Sequence, residues 1–474
     1  MKKNMNFKIV FFAFSSLFLI IITYLIYFLV FKASYYENHQ LNARVFLDRN
    51  KYLRGKILDR NGEVLAYSER EGKSQKRVYN YGESFLHPLG YFNFKYGMSG
   101  IESTMDSYLK EPNGVVSRFE NFFSIKEDYN VASDVKVTLH KDIQIYAHDV
   151  LGDKKGSIVV MNPKNGEIYA MVSKPSFNPN YIESLWDELL KREDAPLYNR
   201  AVNGKYPPGS IFKIITSSAF IEKDKNFLSR RFLDNGKLYF NKNDYLSNQN
   251  EKSYGEIDLK NAFVVSSNVV FGNLAIELGN DLMKNYAEKF YFNRNLEVEG
   301  LNIYKSYFPK LNSNEVGLIA QSGIGQGSIL STPISMAMVC GAIANDGILN
   351  NPLIVKEILD EDSNIIRKIR HKVISKPITK KTSKIIKEYM REVVLKNLSY
   401  IDEFREISAG GKTGTADHKV NGVDGIPHSW FVGFAPYDNP LVSIAVIVEE
   451  GGDGSGIASQ IGGKVLKKSV YTLK

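Results

Sequence analysis

A serine, a lysine three residues beyond it and a breaker cluster ahead of both mark one stretch as chemically capable: Tyr206-Pro207-Pro208-Gly209-Ser210-Ile211-Phe212-Lys213. Proline and glycine stop whatever precedes them. Ser210 then falls at a helix start, where backbone N–H groups lack intrahelical partners. The spacing places Lys213 on the same face, one turn on. A hydroxyl, an amine able to take its proton and free N–H donors are what nucleophilic acyl transfer needs. Alone, S-x-x-K also describes a capping serine followed by an ordinary helix lysine, and it recurs at Ser107/Lys110 and Ser133/Lys136.

Two further stretches carry polar groups in unusual surroundings. Val264-Val265-Ser266-Ser267-Asn268-Val269-Val270 sets hydroxyls and an amide in an apolar run, where burial costs free energy unless they are paired. A cap is the ordinary reading, and S-x-N recurs at Ser176-Phe177-Asn178. Gly410-Gly411-Lys412-Thr413-Gly414-Thr415-Ala416 places a lysine and two threonines among glycines. On a strand facing a groove, Gly414 would let a substrate backbone approach closely.

The elements that must hold these groups follow from pattern. Residues 156–162 and 167–173 read as two strands around a Pro163-Lys164-Asn165-Gly166 turn, a hairpin. Helical patterns follow Ser210 and recur over 262–278 and 333–345, and strands are expected at 410–416, 429–435 and 441–449. A sheet opened by an early hairpin and closed by late strands, with helices between, is an α+β arrangement. The polar, turn-rich stretch 223–260 reads as surface excursions.

Residues 1–8 carry Lys2, Lys3 and Lys8, and residues 9–31 are almost unbroken apolar. That length spans a bilayer once and exceeds a signal-peptide core, so an uncleaved transmembrane helix is expected. Lysines ahead of the span put the N-terminus in the cytoplasm and the rest of the chain outside. Residues 32–153 read as a strand-poor, extended pedestal or docking domain, and 154–474 as the chemical domain. With 474 residues the chain can bury a large core. Its +9 charge is scattered, without a nucleic-acid motif, so no nucleic-acid partner is expected. The single cysteine, Cys340, sits in an apolar run and reads as core. The seven histidines show no metal-ligand spacing, so neither metal nor cofactor is expected.

S-x-x-K, S-x-N and K-T-G in this order form a set already known to mark penicillin-binding proteins and class A β-lactamases. Beyond that set the chain resembles the class B penicillin-binding proteins, monofunctional peptidoglycan transpeptidases. The likeness runs through Arg54-Gly55, Asp59-Arg60-Asn61-Gly62, Gly100-Ile101-Glu102, Asn199-Arg200-Ala201, Gly325-Gln326-Gly327, Thr332-Pro333, Ala344-Asn345-Asp346-Gly347 and Trp430-Phe431-Val432-Gly433. It covers nearly everything after the apolar span. It implies the penicillin-binding, serine β-lactamase-like transpeptidase fold: an antiparallel sheet with helices behind a membrane anchor and pedestal.

The resemblance also implies a chemistry. Ser210 would attack the penultimate carbonyl of a D-Ala-D-Ala stem peptide, terminal D-Ala would leave, and an amine of a neighbouring strand would take the acyl group. Lys213 would be the base, its pKa lowered by burial and by the Lys412 cation. Ser266 would relay a proton to the leaving amine, and Asn268 would hold Lys213 and the substrate amide. Lys412, with the Thr413 and Thr415 hydroxyls beside Gly414, would receive the substrate carboxylate. The backbone N–H groups of Ser210 and Thr415 would form the oxyanion site. β-Lactams should acylate the same serine. Implied partners are peptidoglycan, the membrane and a polytopic glycosyltransferase or other cell-wall synthesis proteins. The alternatives are a serine β-lactamase or D,D-carboxypeptidase, a membrane-anchored β-lactam sensor, and a structural cell-wall protein. No E-x-x-x-N, the class A deacylating pattern, occurs between Asn268 and Lys412, which weighs against hydrolysis.

Overall fold

The structure, a computed structural model, describes residues 2–28, 50–113, 131–420 and 423–474. The end of the expected span (29–31) and residues 32–49 and 114–130 of the expected pedestal lie outside the described residues.

Strands Gly410–Ala416, His428–Ala435, Val442–Val448, Gly156–Met161 and Ile168–Lys174 form one antiparallel sheet in that spatial order. Their side chains alternate between two cores. Val159, Met161, Val432, Ala445 and Ile447 pack with Ile214, Val270 and Met336, from helices Lys213–Lys223, Asn268–Leu278 and Pro333–Ala344. Ile158, Val160, Phe431, Ile444 and Val446 pack with Ile143, Ala147, Ile461 and Val465, from helices Lys141–Leu151 and Ile457–Leu473. Burial on both faces is why the strands other than Gly410–Ala416 read as largely apolar runs. Helix Pro333–Ala344 is buried at every residue, as an all-round apolar helix must be. Its start is capped by Thr332, whose Oγ1 accepts from Ser335 N at 3.3 Å. Cys340 lies within it, and burial pushes its thiol pKa up.

The helical pattern over 262–278 resolves into two helices, Leu259–Val264 and Asn268–Leu278. The break at 265–267 leaves Ser266 in the left-handed region, with φ +57°.

The amino-terminal region is not strand-poor, and this expectation is corrected. Ile57–Leu58, Val64–Glu71, Ser74–Tyr79 and Asp134–Val137 belong to a six-stranded sheet completed by Val355–Leu359 and Ile365–Lys368. The first strand is only two residues long, the polar Ser74-Gln75-Lys76-Arg77 hides its alternation, and two strands come from much later in the chain. Helix Lys141–Leu151 packs the other way, onto the five-stranded sheet. The two layers therefore exchange segments across 153/154.

One ion cluster ties the amino-terminal region together. Glu102 is 0% exposed and accepts from Arg54 Nε at 2.6 Å and Arg77 Nε at 2.7 Å. Arg54 Nη1 also reaches Asp106 at 2.5 Å. The landmarks at 54–55 and 100–102 are thus bonded to each other.

Helix Lys2–Tyr27 opens the chain. Its apolar part, Lys8–Tyr27, has 20 residues, is long and apolar enough to cross a membrane, and is not buried against the rest of the described residues. At about 1.5 Å per residue it spans roughly 30 Å, the thickness of a hydrocarbon core.

Candidate active site

The breaker cluster folds as a braced turn. Tyr206 N donates to Ser331 O at 3.0 Å, Trp430 Nε1 to Pro207 O at 3.0 Å, and Gly209 N to Gly325 O at 2.9 Å. Three of the landmarks, at 206–213, 325–327 and 430–433, are therefore one physical contact. Gly209 has φ +56°, and a Cβ there would lie 2.3 Å from Thr415 O. Only glycine lets this turn press against strand Gly410–Ala416. Ser210 sits in the short 3-10 turn Gly209–Phe212, and the α-helix proper begins at Lys213. The serine thus lies one turn ahead of the α-helix and not at its start as expected, on a turn that runs straight into it.

Lys213 is 0% exposed and Lys412 is 1% exposed. Lys213 Nζ donates to Ser266 O at 2.7 Å, Asn268 Oδ1 at 2.7 Å and Ser266 Oγ at 3.1 Å. Lys412 Nζ donates to the same Ser266 Oγ at 3.0 Å and to Thr413 O at 3.1 Å. The Ser266 hydroxyl therefore lies between two amines, held there by its left-handed backbone. Burial, with the Lys412 ammonium second, drives the Lys213 pKa well below the usual lysine range, against the opposing pull of Asp234. Burial lowers Lys412 to about 7, opposed by Asp453. No carboxylate bonds directly to either amine among the described residues.

Hydrogen counting gives this arrangement a direction. A protonated Lys213 fills its three contacts by donating. A neutral Lys213 has two hydrogens and a lone pair. Ser266 O and Asn268 Oδ1 can only accept, so the contact that reverses is Ser266 Oγ, the one partner with a proton to give. The constellation can hold a proton on Lys213 or pass one through Ser266 without moving a heavy atom.

Gly410–Ala416 is the edge strand of its sheet, partnered by His428–Ala435. Thr413, Gly414 and Thr415 line a cleft of about 950 Å³ together with Ser210, Ser266 and Asn268. Gly414 lies against the serine turn, where a Cβ would come 3.0 Å from Pro208 O. Thr415 Oγ1 accepts from Gly454 N at 3.2 Å. All the residues singled out for chemistry thus meet at one place. The other S-x-x-K pairs lie in the amino-terminal region, where Ser133 Oγ accepts from Asn113 N at 2.8 Å. No group of His, Cys, Asp or Glu among the described residues could hold a metal ion.

Two residues of the site were not singled out in the sequence. Asp234 and Asn248, from the stretch read as surface excursions, are 0% and 4% exposed. Asn248 Oδ1 accepts from Asn268 N at 2.7 Å, and Ser267 Oγ donates to Asp234 Oδ2 at 2.6 Å. Asp234-Asn235-Gly236 looks like any surface turn, because Asp234 Oδ1 does accept from Gly236 N at 2.9 Å.

An antiparallel sheet between helical layers, with S-x-x-K, S-x-N and K-T-G converging on one cleft, defines the penicillin-binding class of serine acyltransferases. Residues 156–467 match the family model for the penicillin binding protein transpeptidase domain, and residues 54–128 match that for the penicillin binding protein A dimerisation domain. The chain belongs to the penicillin-binding protein transpeptidase family, as a class B member. It is 29% identical over 461 residues to the peptidoglycan D,D-transpeptidase PbpA of Mycolicibacterium smegmatis, covering 91% of this chain and 92% of that one. Penicillin-binding protein A from M. tuberculosis, solved as an imipenem acyl-enzyme complex, superimposes with a TM-score of 0.82 at 26% identity, over 90% of this chain and 100% of that one. The D,D-transpeptidase domain of a peptidoglycan glycosyltransferase from Eggerthella lenta gives 0.79 at 30% identity, over 89% and 99%.

Proposed function

We propose that this penicillin-binding protein is a peptidoglycan D,D-transpeptidase in which Ser210 is the acylated nucleophile. The observation that carries the reading is the Ser266 hydroxyl held between two buried lysines at 3.1 and 3.0 Å, beside the braced Ser210 turn. Lys213, its lone pair turned from Ser266 Oγ to Ser210 as the substrate enters, takes the Ser210 proton as Oγ bonds to the penultimate D-Ala carbonyl. The proton passes through Ser266 to the nitrogen of terminal D-Ala as the C–N bond breaks. An acceptor amine then attacks the ester, gives its proton back along the same route and leaves Ser210 free. Lys412 with Thr413 and Thr415 receives the substrate carboxylate, and Asn268 holds Lys213 and the substrate amide. The Ser210 and Thr415 N–H groups take up the oxyanion charge, each worth about 2.7–4 kcal/mol of barrier. β-Lactams present the same carbonyl and stop at the ester, as imipenem does in the M. tuberculosis protein.

The same reading extends to the rest of the chain. Residues 1–8 are a cytoplasmic tail, 9–31 a single membrane crossing, 32–153 a docking pedestal and 154–474 the extracytoplasmic transpeptidase domain. Lysines 2, 3 and 8 ahead of the span support that orientation. The pedestal, similar over 54–128 to a dimerisation domain, is where a polytopic glycosyltransferase or other cell-wall synthesis protein would dock. Purified full-length protein given uncrosslinked peptidoglycan should release D-Ala and form crosslinked stem peptides, and Ser210→Ala should do neither. Release of D-Ala without crosslinks would overturn transfer in favour of hydrolysis.

A further inference from the structure

The groups that aim Asn268 and Lys213 at each other lead back to one buried carboxylate. Asp234 Oδ2 accepts from Ser267 Oγ at 2.6 Å and Asn248 Nδ2 at 2.9 Å, while Oδ1 accepts from Asn248 Nδ2 at 2.8 Å and Gly236 N at 2.9 Å. Two of the neighbours so gripped, Ser267 and Asn248, hold the start of helix Asn268–Leu278. Ser267 Oγ accepts from Val270 N at 3.0 Å, and Asn248 Oδ1 accepts from Asn268 N at 2.7 Å and Val269 N at 3.2 Å. The Asn268 side chain is fixed from the same segment, its Nδ2 donating to Ser247 O at 2.8 Å. That bond decides which end of the amide faces Lys213: the oxygen, at 2.7 Å.

All these donors to Asp234 are uncharged. A carboxylate with no exposure and no cation bonded to it among the described residues is costly. Two buried lysines without a bonded carboxylate among the described residues lie in the same site. We infer that Asp234 is a positioning residue of this reaction, aiming Asn268 at the Lys213 amine through Ser267 and Asn248 and supplying the buried negative charge that Lys213 otherwise lacks. The inference rests on the reading of Ser210 and Lys213 given above.

Its electrostatic part has a sign. The charged groups acting on Lys213 are Lys412, which lowers its pKa, and Asp234, which raises it. Asp453 acts on Lys412 and not on Lys213. Asp234 also faces Tyr254, where its charge adds to burial in raising the phenol pKa. Removing the Asp234 charge therefore lets Lys213 lose its proton at lower pH. Lys213 must be neutral to act as base, so the acid limb of the rate profile moves down.

The test is the second-order rate of acylation of full-length protein by fluorescent penicillin, across pH, for wild type, Asp234→Asn and Ser267→Ala, with melting temperature beside it. Asp234→Asn should lose about tenfold at the plateau and shift its acid limb to lower pH. Ser267→Ala keeps the charge and removes one anchor, so it should lower the plateau and leave the limb in place. A purely structural Asp234 would lower the melting temperature and the labelled fraction while the surviving protein kept the wild-type limb; that result overturns the electrostatic part. A wild-type plateau in Ser267→Ala overturns the positioning part, even if Asp234→Asn does not fold. Failure of wild type to label at Ser210 would instead sink the underlying assignment of the nucleophile.

Discussion

Ser266 offers a perturbation in which two effects separate cleanly. Its φ of +57° is strained for an L-residue, and its Oγ bridges Lys213 and Lys412 at 3.1 and 3.0 Å. Ser266→Ala removes the bridge and keeps the strain. Ser266→Gly removes both. The side chain is only part-buried at the wall of the cleft, so neither change opens a core cavity. Left-handed backbone costs an L-residue about 1–2 kcal/mol, and the extra unfolded-state freedom of glycine returns roughly 0.5–1 of that. The glycine variant should therefore be the more stable of the two by about 0.5–1 kcal/mol, read by denaturant or thermal unfolding. Both should be acylated slowly and to the same degree. A positioned proton carrier is worth about 10²–10⁴-fold, or roughly 3–5 kcal/mol of barrier. The assay is fluorescent-penicillin acylation with D-Ala release alongside. An alanine variant as stable as the glycine one would refute the backbone argument. An alanine variant acylated at the wild-type rate would refute the proton path through Ser266.

Other expectations rest on other parts of the molecule. Gly209→Ala forces a Cβ to within 2.3 Å of Thr415 O at a φ of +56°, so it should cut acylation by about 10²-fold through the oxyanion geometry, read by the same labelling. Lys412, lowered to about 7 by burial, must be charged to receive a carboxylate, so acylation of the free enzyme should fall as pH rises past about 7. Lys412→Arg, whose charge persists, should remove that alkaline limb, and a limb that survives the change assigns it to another group. Glu102→Ala strands two buried guanidiniums and should cost about 3–5 kcal/mol, seen as early unfolding or proteolysis of the amino-terminal region. Burial by itself raises the Glu102 pKa, but Arg77 and Arg54 outweigh it and hold the carboxyl below its usual range. Its contribution is therefore present above the unfolded pKa of about 4.3 and lost as pH falls through the folded value. Glu102→Gln should flatten that acid dependence.

The groups legible in the sequence are those whose meaning is local. Ser210 and Lys213 share a turn, Lys412 to Thr415 share a strand, and strands buried on both faces announce themselves as apolar runs. Asp234 and Asn248 were hidden because their partners Ser267 and Asn268 lie beyond a polar stretch that looks like surface. Nothing local distinguishes an aspartate in a turn from one folded under a helix start. The amino-terminal sheet was hidden for a related reason: Asp134–Val137 bonds to Val355–Leu359 on one side and to a two-residue strand on the other. Arg54 and Glu102 stood out by resemblance alone, and the 2.6 Å bond between them supplies the physical reason.

The central claim is that Ser210 carries the acyl group, and one measurement tests it most directly. Full-length protein would be incubated with penicillin, digested, and its peptides mapped by mass spectrometry. The account predicts a penicilloyl mass on the peptide containing Ser210, persistent in wild type and absent from Ser210→Ala. A penicilloyl mass on another residue, or labelling that survives Ser210→Ala, would contradict it.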